Sequence, residues 1–381
     1  MKLWRRASGA LKDRNSIWLA SLSLRTTLRN PNIESAVIKA TSHDESYVDY
    51  RNAQRVFAWI RMSPTYLKPF VWALCMRMDK TRSWVVALKG LMLMHGVFCC
   101  RVPAVQRIGR LPFDLSNFKD GHMNPVKAWG YNAFVRAYYA FLDQKSEFIF
   151  MDFQESKGRL LIKEEQQQPI MLQELERLQK LQSLLDMLFQ IKPQAECMNM
   201  GLILEAIDCV IIEIYDIYSR ICNAISRVLV MIYSAGKVEA IMALRVLQKA
   251  IVQGEELSFY FEFSRDIGVL NASECPKVQK IPQEDIRELE RIINGVSQKP
   301  NMNHEDNDST SGLRTIITNN WEVFDDDLIR VNNNIGEETT SSSDIGKNTV
   351  SENPFAASNF TFPALQVDGN NGGIPDLISF L

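Results

Sequence analysis

The chain has 381 residues, of which 46% are apolar and 23% charged, so it can bury a sizeable core and has the composition of a soluble globular protein. The apolar segments 84–98 and 201–218 are interrupted by Lys89 and His95, and by Glu205, Asp208, Glu213 and Asp216, which excludes a membrane span in either. Seven cysteines without paired spacing point to free thiols in a reducing compartment, and no secretory segment follows the basic Met1–Arg6 start. The net charge of -2 hides a gradient. The first sixty residues are rich in Lys and Arg, whereas the far end is acidic around Glu305, Asp325, Asp326, Asp327, Glu337 and Glu338. A basic front suggests an anionic surface, and an acidic end suggests protein partners. No nucleic-acid motif accompanies the bases, and no nucleic acid is expected as a partner.

In chain order, the first thirty residues mix Trp4, Leu11, Ile17, Trp18, Leu19, Leu22 and Leu24 with Arg and Lys. This reads either as an amphipathic helix lying on lipid or as a first helix packed on the next. Around Val37–Asn52, Lys39 follows an apolar pair, and Thr41, Ser42 and Asp44 are residue types that cap a following helix. Lys39 and His43 beside such a helix start have the chemistry of an anion site, because N–H groups and the dipole favour negative charge there.

Helices follow at 49–62, 67–78 and 84–98, the last so apolar that it should run through the core. A short helix opens at Pro103, and a long aromatic-rich helix runs from Val126 to Phe153. Leucines at three- and four-residue steps mark 163–190, and 197–235, 238–266 and 284–293 complete the helical part. No strand is expected between Ala7 and Asp266. The fold class is therefore all-α, a right-handed superhelix or bundle of stacked antiparallel helices. Its expected extent is 1–294, with a front part of about 1–160 and later helices over 163–294. From 295 to 381 the composition shifts to Asn, Asp, Ser, Thr and Gly, which predicts a disordered acidic tail.

The run Lys39-Ala40-Thr41, six residues, Val48, and then Arg51 resembles the phosphoinositide-binding motif of the ANTH/ENTH family of clathrin assembly proteins. That motif continues as Lys-x-Lys followed by His or Tyr. Here Asp49 stands where the first lysine is expected and Asn52 where the aromatic is expected. Gly9-Ala10-Leu11-Lys12-Asp13 and Leu93-Met94-His95-Gly96 also fit the family, and the likeness extends to about Pro282. The resemblance implies a helical domain whose front meets a phosphoinositide membrane through Lys39, Arg51, His43 and Lys12. It further implies clathrin as a partner, and vesicle SNARE helices on the apolar faces between Met200 and Phe263. Peripheral attachment to clathrin-coated pits and vesicles, on the cytoplasmic side of the plasma membrane or Golgi, follows from it.

The tail carries apolar islands in an acidic setting, the design of short linear motifs. Asn353-Pro354-Phe355 resembles the tripeptide recognised by EH domains, a turn presenting a phenylalanine. Asp327-Leu328-Ile329 and Asp376-Leu377-Ile378 look like loose variants of clathrin- or adaptor-binding peptides, and several weak contacts together give avidity.

The chain lacks the marks of an enzyme. Its four histidines form no metal-ligand spacing with one another or with a Cys, and no phosphate loop, nucleophile elbow or paired-acid motif occurs. No cofactor, metal or catalytic residue is expected. The expected function is an endocytic adaptor. The alternative is a helical protein–protein scaffold that has lost lipid contact along with the motif residues replaced by Asp49 and Asn52.

Overall fold

The computed structural model describes residues 2–46, 48–161, 170–194, 198, 200–276 and 281–295. Among the described residues ten α-helices follow one another: α1 (Lys2–Ser21), α2 (Pro31–Ala40), α3 (Tyr50–Met62), α4 (Leu67–Lys80), α5 (Trp84–Cys99), α6 (Pro125–Leu161), α7 (Ile170–Phe189), α8 (Gly201–Met231), α9 (Lys237–Asp266) and α10 (Gln283–Ile293). No strand occurs among the described residues. The all-α reading therefore holds, and most helix ends fall within two or three residues of those read from the sequence.

The exceptions have local causes. The segment opening at Pro103 is a single 3-10 turn, Val105–Arg107, in a loop where Arg101 takes a positive φ of 52°. The α6 helix runs eight residues beyond Phe153, because Gln154–Leu161 contains no proline and its one glycine, Gly158, costs only about 1 kcal/mol. The start of the leucine helix, 163–169, lies outside the described residues, as does Cys197.

Neighbouring helices in sequence pack on each other: α1 on α2, α2 on α3 and α4, α5 on α6, α6 on α7. The α7 helix then lies against both α8 and α9, and α10 closes on α9. The α5 helix sits at the centre. Every residue from Trp84 to Phe98 is buried, and α5 touches α2, α3, α4, α6 and α8. An apolar stripe on all sides leaves a helix no solvent face, so the others gather round it. Gly90 and Gly96 permit the closest approaches. A Cβ on Gly96 would stand 2.3 Å from the Phe57 ring of α3, and one on Gly90 2.4 Å from the end of Met78 of α4.

A cluster of polar side chains is drawn into this core with α5. His95 sits between Tyr138 Oη of α6 (2.7 Å, to Nδ1) and Glu213 Oε2 of α8 (3.0 Å, to Nε2), and Lys145 of α6 donates to the same glutamate oxygen. Burial pushes the Glu213 carboxyl up, but the Lys145 ammonium and His95 outweigh it and hold Glu213 well below the usual carboxylate range. Burial lowers the His95 imidazole. His95 is thus a hydrogen-bonded core histidine, and the network ties the front helices to α8.

Candidate functional site

The α2 helix begins at Asn30, whose side chain accepts from Asn32 N (3.1 Å), with Pro31 in its first turn. From that start the Lys-Ala-Thr run falls in the last turn. Ala40 is buried, Thr41 is fully buried and donates its hydroxyl to Val37 O (2.6 Å), and Lys39 is exposed. Lys39 therefore sits at a helix C-terminus, where the dipole favours the lysine itself rather than an anion. The expectation of a helix starting at Thr41, Ser42 or Asp44 is corrected in the same way. The residue that caps α3 is Asp49, which accepts from Asn52 N at 3.0 Å.

The loop between α2 and α3 is clamped from two sides. On one side is Asp13 of α1. It accepts from His43 N (2.8 Å, Oδ2) and meets the His43 ring Nδ1 (2.8 Å, Oδ1), and Arg77 of α4 donates to it at 2.5 Å. Arg77 also donates to Thr41 O (2.8 Å) and Thr41 Oγ1 (3.2 Å). Burial raises the Asp13 carboxyl, yet the hydrogen bonds from His43 and Arg77 outweigh burial and keep it below the usual value. On the other side is Lys89 of α5, buried, which donates to Asp44 O (2.6 Å) and Ser42 Oγ (3.1 Å). Burial brings its pKa down to about 8 against the pull of Asp44, Asp13 and Asp49.

Between α1 and this loop opens a cleft of about 620 Å³. Ala7, Ala10, Ile17 and Ile38 form apolar walls, and Arg14, Lys39, Asp44 and Asp49 bring charges of both signs to it. Of the four lipid-facing residues expected from sequence, Lys39 lines the cleft and is exposed. Arg51 is exposed in the first turn of α3 and does not line it. His43 is mostly covered, with one ring nitrogen held by Asp13. Lys12 is exposed, one residue from Asp13 and hence about 100° round α1 from the buried clamp. Arg14 is a cation at the cleft that the motif did not single out. Arg77 and Lys89 position the loop from α4 and α5. No local pattern in the sequence marks them, because their partners are 36 to 64 residues away.

An ANTH-domain family model matches residues 32–295. The chain belongs to the ANTH-domain family. Two Arabidopsis thaliana proteins described as candidate clathrin assembly proteins resemble it over nearly their full lengths. One is 52% identical over 86% of this chain and 88% of its own, and the other 48% identical over 86% and 89%. The clathrin coat assembly protein AP180 of the same plant is 27% identical over 78% of this chain and half of its own length.

Within this ANTH domain, the two residues that depart from the family's basic motif are bonded to each other. Asp49 accepts from both the backbone N–H and the side-chain amide of Asn52 (3.0 and 2.7 Å), and Arg55 donates to Asn52 Oδ1 (3.4 Å). Asp49 at the N-cap satisfies a first-turn N–H of α3 and is braced by the amide three residues on. What stands at these two motif positions is thus a helix cap.

Two further faces of the fold expose apolar side chains. On α1, Leu11 and Trp18 share one face and are 67% and 59% exposed, opposite the buried Gly9, Asp13 and Ala20, with Leu22, 62% exposed, just past the helix end. The first helix packs on α2 by one face and carries apolar residues outward on the other. On α9, Val252 and Phe259 are exposed seven residues apart, alongside Ile251. The tail residues Asp327, Leu328, Ile329, Asn353, Pro354, Phe355, Asp376, Leu377 and Ile378 lie outside the described residues. Among the described residues, one set has metal-ligand proximity: His95, Cys99 and Glu213. This corrects the expectation that no histidine stands at metal-ligand spacing with a Cys, since His95 and Cys99 are one turn apart on α5 and Glu213 joins them from α8. Lys145 already places its ammonium on the Glu213 carboxylate. No described helix is long and apolar enough to cross a membrane.

Proposed function

We propose that this ANTH-domain chain is a clathrin-coat adaptor whose helical domain docks peripherally on an anionic, phosphoinositide-bearing membrane while its acidic tail recruits coat proteins. The observation that carries the reading is the placement of Lys39. It is exposed at the cleft in the last turn of α2, next to a loop held by Asp13, Arg77 and Lys89, and among the described residues no ion pair takes it up. Arg14 and Arg51 add cations nearby in the fold, and the outward face of α1 supplies apolar side chains to enter the headgroup layer.

Each exposed base near an anionic surface contributes about 1 kcal/mol, and Asp44 and Asp49 subtract from that sum. Docking is therefore weak, and coat recruitment depends on lipid and protein contacts acting together. Asn353-Pro354-Phe355 serves an EH-domain protein, and the Asp-Leu-Ile segments at 327–329 and 376–378 serve clathrin or an adaptor. The α9 face around Phe259 is the seat for a vesicle SNARE helix. No bond is made or broken.

Sedimentation with phosphoinositide vesicles tests the reading. The wild type should be recovered with the vesicles and Lys39→Glu substantially less, and equal recovery of the two counts against the site. A second reading is favoured by one observation, the capping pair of Asp49 and Asn52. If the basic motif has been exchanged for helix stability, the domain is a protein-binding scaffold. The unmodified chain would then ignore phosphoinositide vesicles while still capturing clathrin.

A further inference from the structure

The exposed face of α1 carries a second feature that membrane docking does not use. Arg5-Arg6-Ala7-Ser8 places two arginines two and three residues ahead of a serine, and Ser8 is exposed one turn before Leu11 and Lys12. We propose that Ser8 is a phosphorylation site for an arginine-directed serine/threonine kinase, and that its phosphate releases the domain from the membrane. The release half of this rests on the docking reading above; the modification half does not.

Consecutive guanidinium groups ahead of the acceptor match the acidic substrate cleft of such a kinase, because each pairs with carboxylates through paired N–H donors. The fold leaves the segment accessible. The α1 helix is pinned to the body from Gly9 onward, where a Cβ would stand 2.6 Å from His43 Cβ, and at Asp13, which holds His43 and Arg77. Ser8 lies on the N-terminal side of both pins, so the turn that carries it can peel away without breaking either. Nothing acidic occupies the first turn of α1, and Lys2, Arg5 and Arg6 oppose the positive end of its dipole, so peeling costs little.

In the transfer, Ser8 Oγ attacks the γ-phosphorus of Mg-ATP. The Oγ–P bond forms as the bond from that phosphorus to the β–γ bridging oxygen breaks. ADP leaves with the bridging oxygen, and the hydroxyl proton passes to the kinase's carboxylate and then to water.

Residues 2–14 carry Lys2, Arg5, Arg6, Lys12 and Arg14 against Asp13 alone. A phosphate brings nearly two negative charges into this stretch, on the face shared with Leu11. At roughly 1 kcal/mol per charge near an anionic surface, vesicle affinity should fall by about thirtyfold, an electrostatic switch.

The test treats the full chain and Ser8→Ala with Mg-ATP and the catalytic subunit of cyclic-AMP-dependent kinase as a generic arginine-directed enzyme. Sites are mapped by mass spectrometry, and each sample is then sedimented with phosphatidylcholine vesicles with and without phosphoinositide. Expected are near-stoichiometric phosphate at Ser8, loss of wild-type vesicle recovery on treatment, and no change in Ser8→Ala recovery on treatment. Absence of phosphate at Ser8 overturns the site. Phosphate at Ser8 with undiminished vesicle recovery overturns the switch. If the untreated chain ignores the vesicles, the docking reading and the switch fall together, while phosphate at Ser8 still establishes the site.

Discussion

Single side chains carry most of the charge logic of this domain, and two of them bear on its stability. Lys89 is held near pKa 8 by burial, below the ordinary 10.5. Between those values the unfolded chain keeps a proton that the folded chain releases, so the contribution of Lys89 to stability rises with pH across that window. Wild type compared with Lys89→Met by urea unfolding should therefore gain about 2–3 kcal/mol on going from pH 7.5 to 10. A constant difference would mean that the amine is not desolvated. The second is Lys145, whose loss strands Glu213 in the core with His95 alone. Lys145→Met should cost about 3–5 kcal/mol, and Lys145→Met/Glu213→Gln should recover most of it, because an unpaired buried charge is worse than none. At this scale the sequence was half legible. His95 could be read as a core residue because apolar neighbours surround it, but its partners stand 43 and 118 positions away, and periodicity carries no information across such distances.

Helices and their caps decide how the site is presented. Asp49 is both the cap of α3 and a negative charge close to Lys39 and Arg51. Asp49→Lys should lower stability by about 1 kcal/mol through the lost cap. It should also strengthen phosphoinositide vesicle binding by about thirtyfold, through a two-charge change at about 1 kcal/mol each. Opposite signs in the two assays separate a displaced site from an abolished one. Gly9→Ala acts on another element. The added carbon meets His43 Cβ, so α1 must shift off the loop, with a cost of about 1–3 kcal/mol in thermal or urea unfolding. The α5 helix was legible from its dense apolar run, interrupted only by Lys89 and His95, and α7 from its leucine spacing. The cap of α3 was not, because Thr41, Ser42 and Asp44 are equally good capping types and lie nearer the lysine. Only the packing of Val48, 5% exposed, and of α3 against α2 delays the helix to Tyr50.

Over the whole molecule, a rigid helical front presents Lys39 and an apolar α1 face, and an acidic chain of 86 residues follows Gly295. The all-α architecture and the family were readable from patterns spread over hundreds of residues. The geometry of the cleft was not, since it is made where α1, α2 and the loop meet. Leu11→Glu/Trp18→Glu should leave the unfolding midpoint nearly unchanged, as both side chains are exposed, yet reduce vesicle recovery several-fold by removing the apolar contact. The central claim is that one chain bridges lipid to coat, and the most direct measurement is clathrin recruitment. Soluble clathrin is mixed with the full chain and with vesicles that do or do not contain phosphoinositide, and the vesicles are collected. Clathrin should come down only when chain and phosphoinositide are both present, and much less with Lys39→Glu. Clathrin recovered equally without phosphoinositide, or not recovered at all with both components present, would contradict the account.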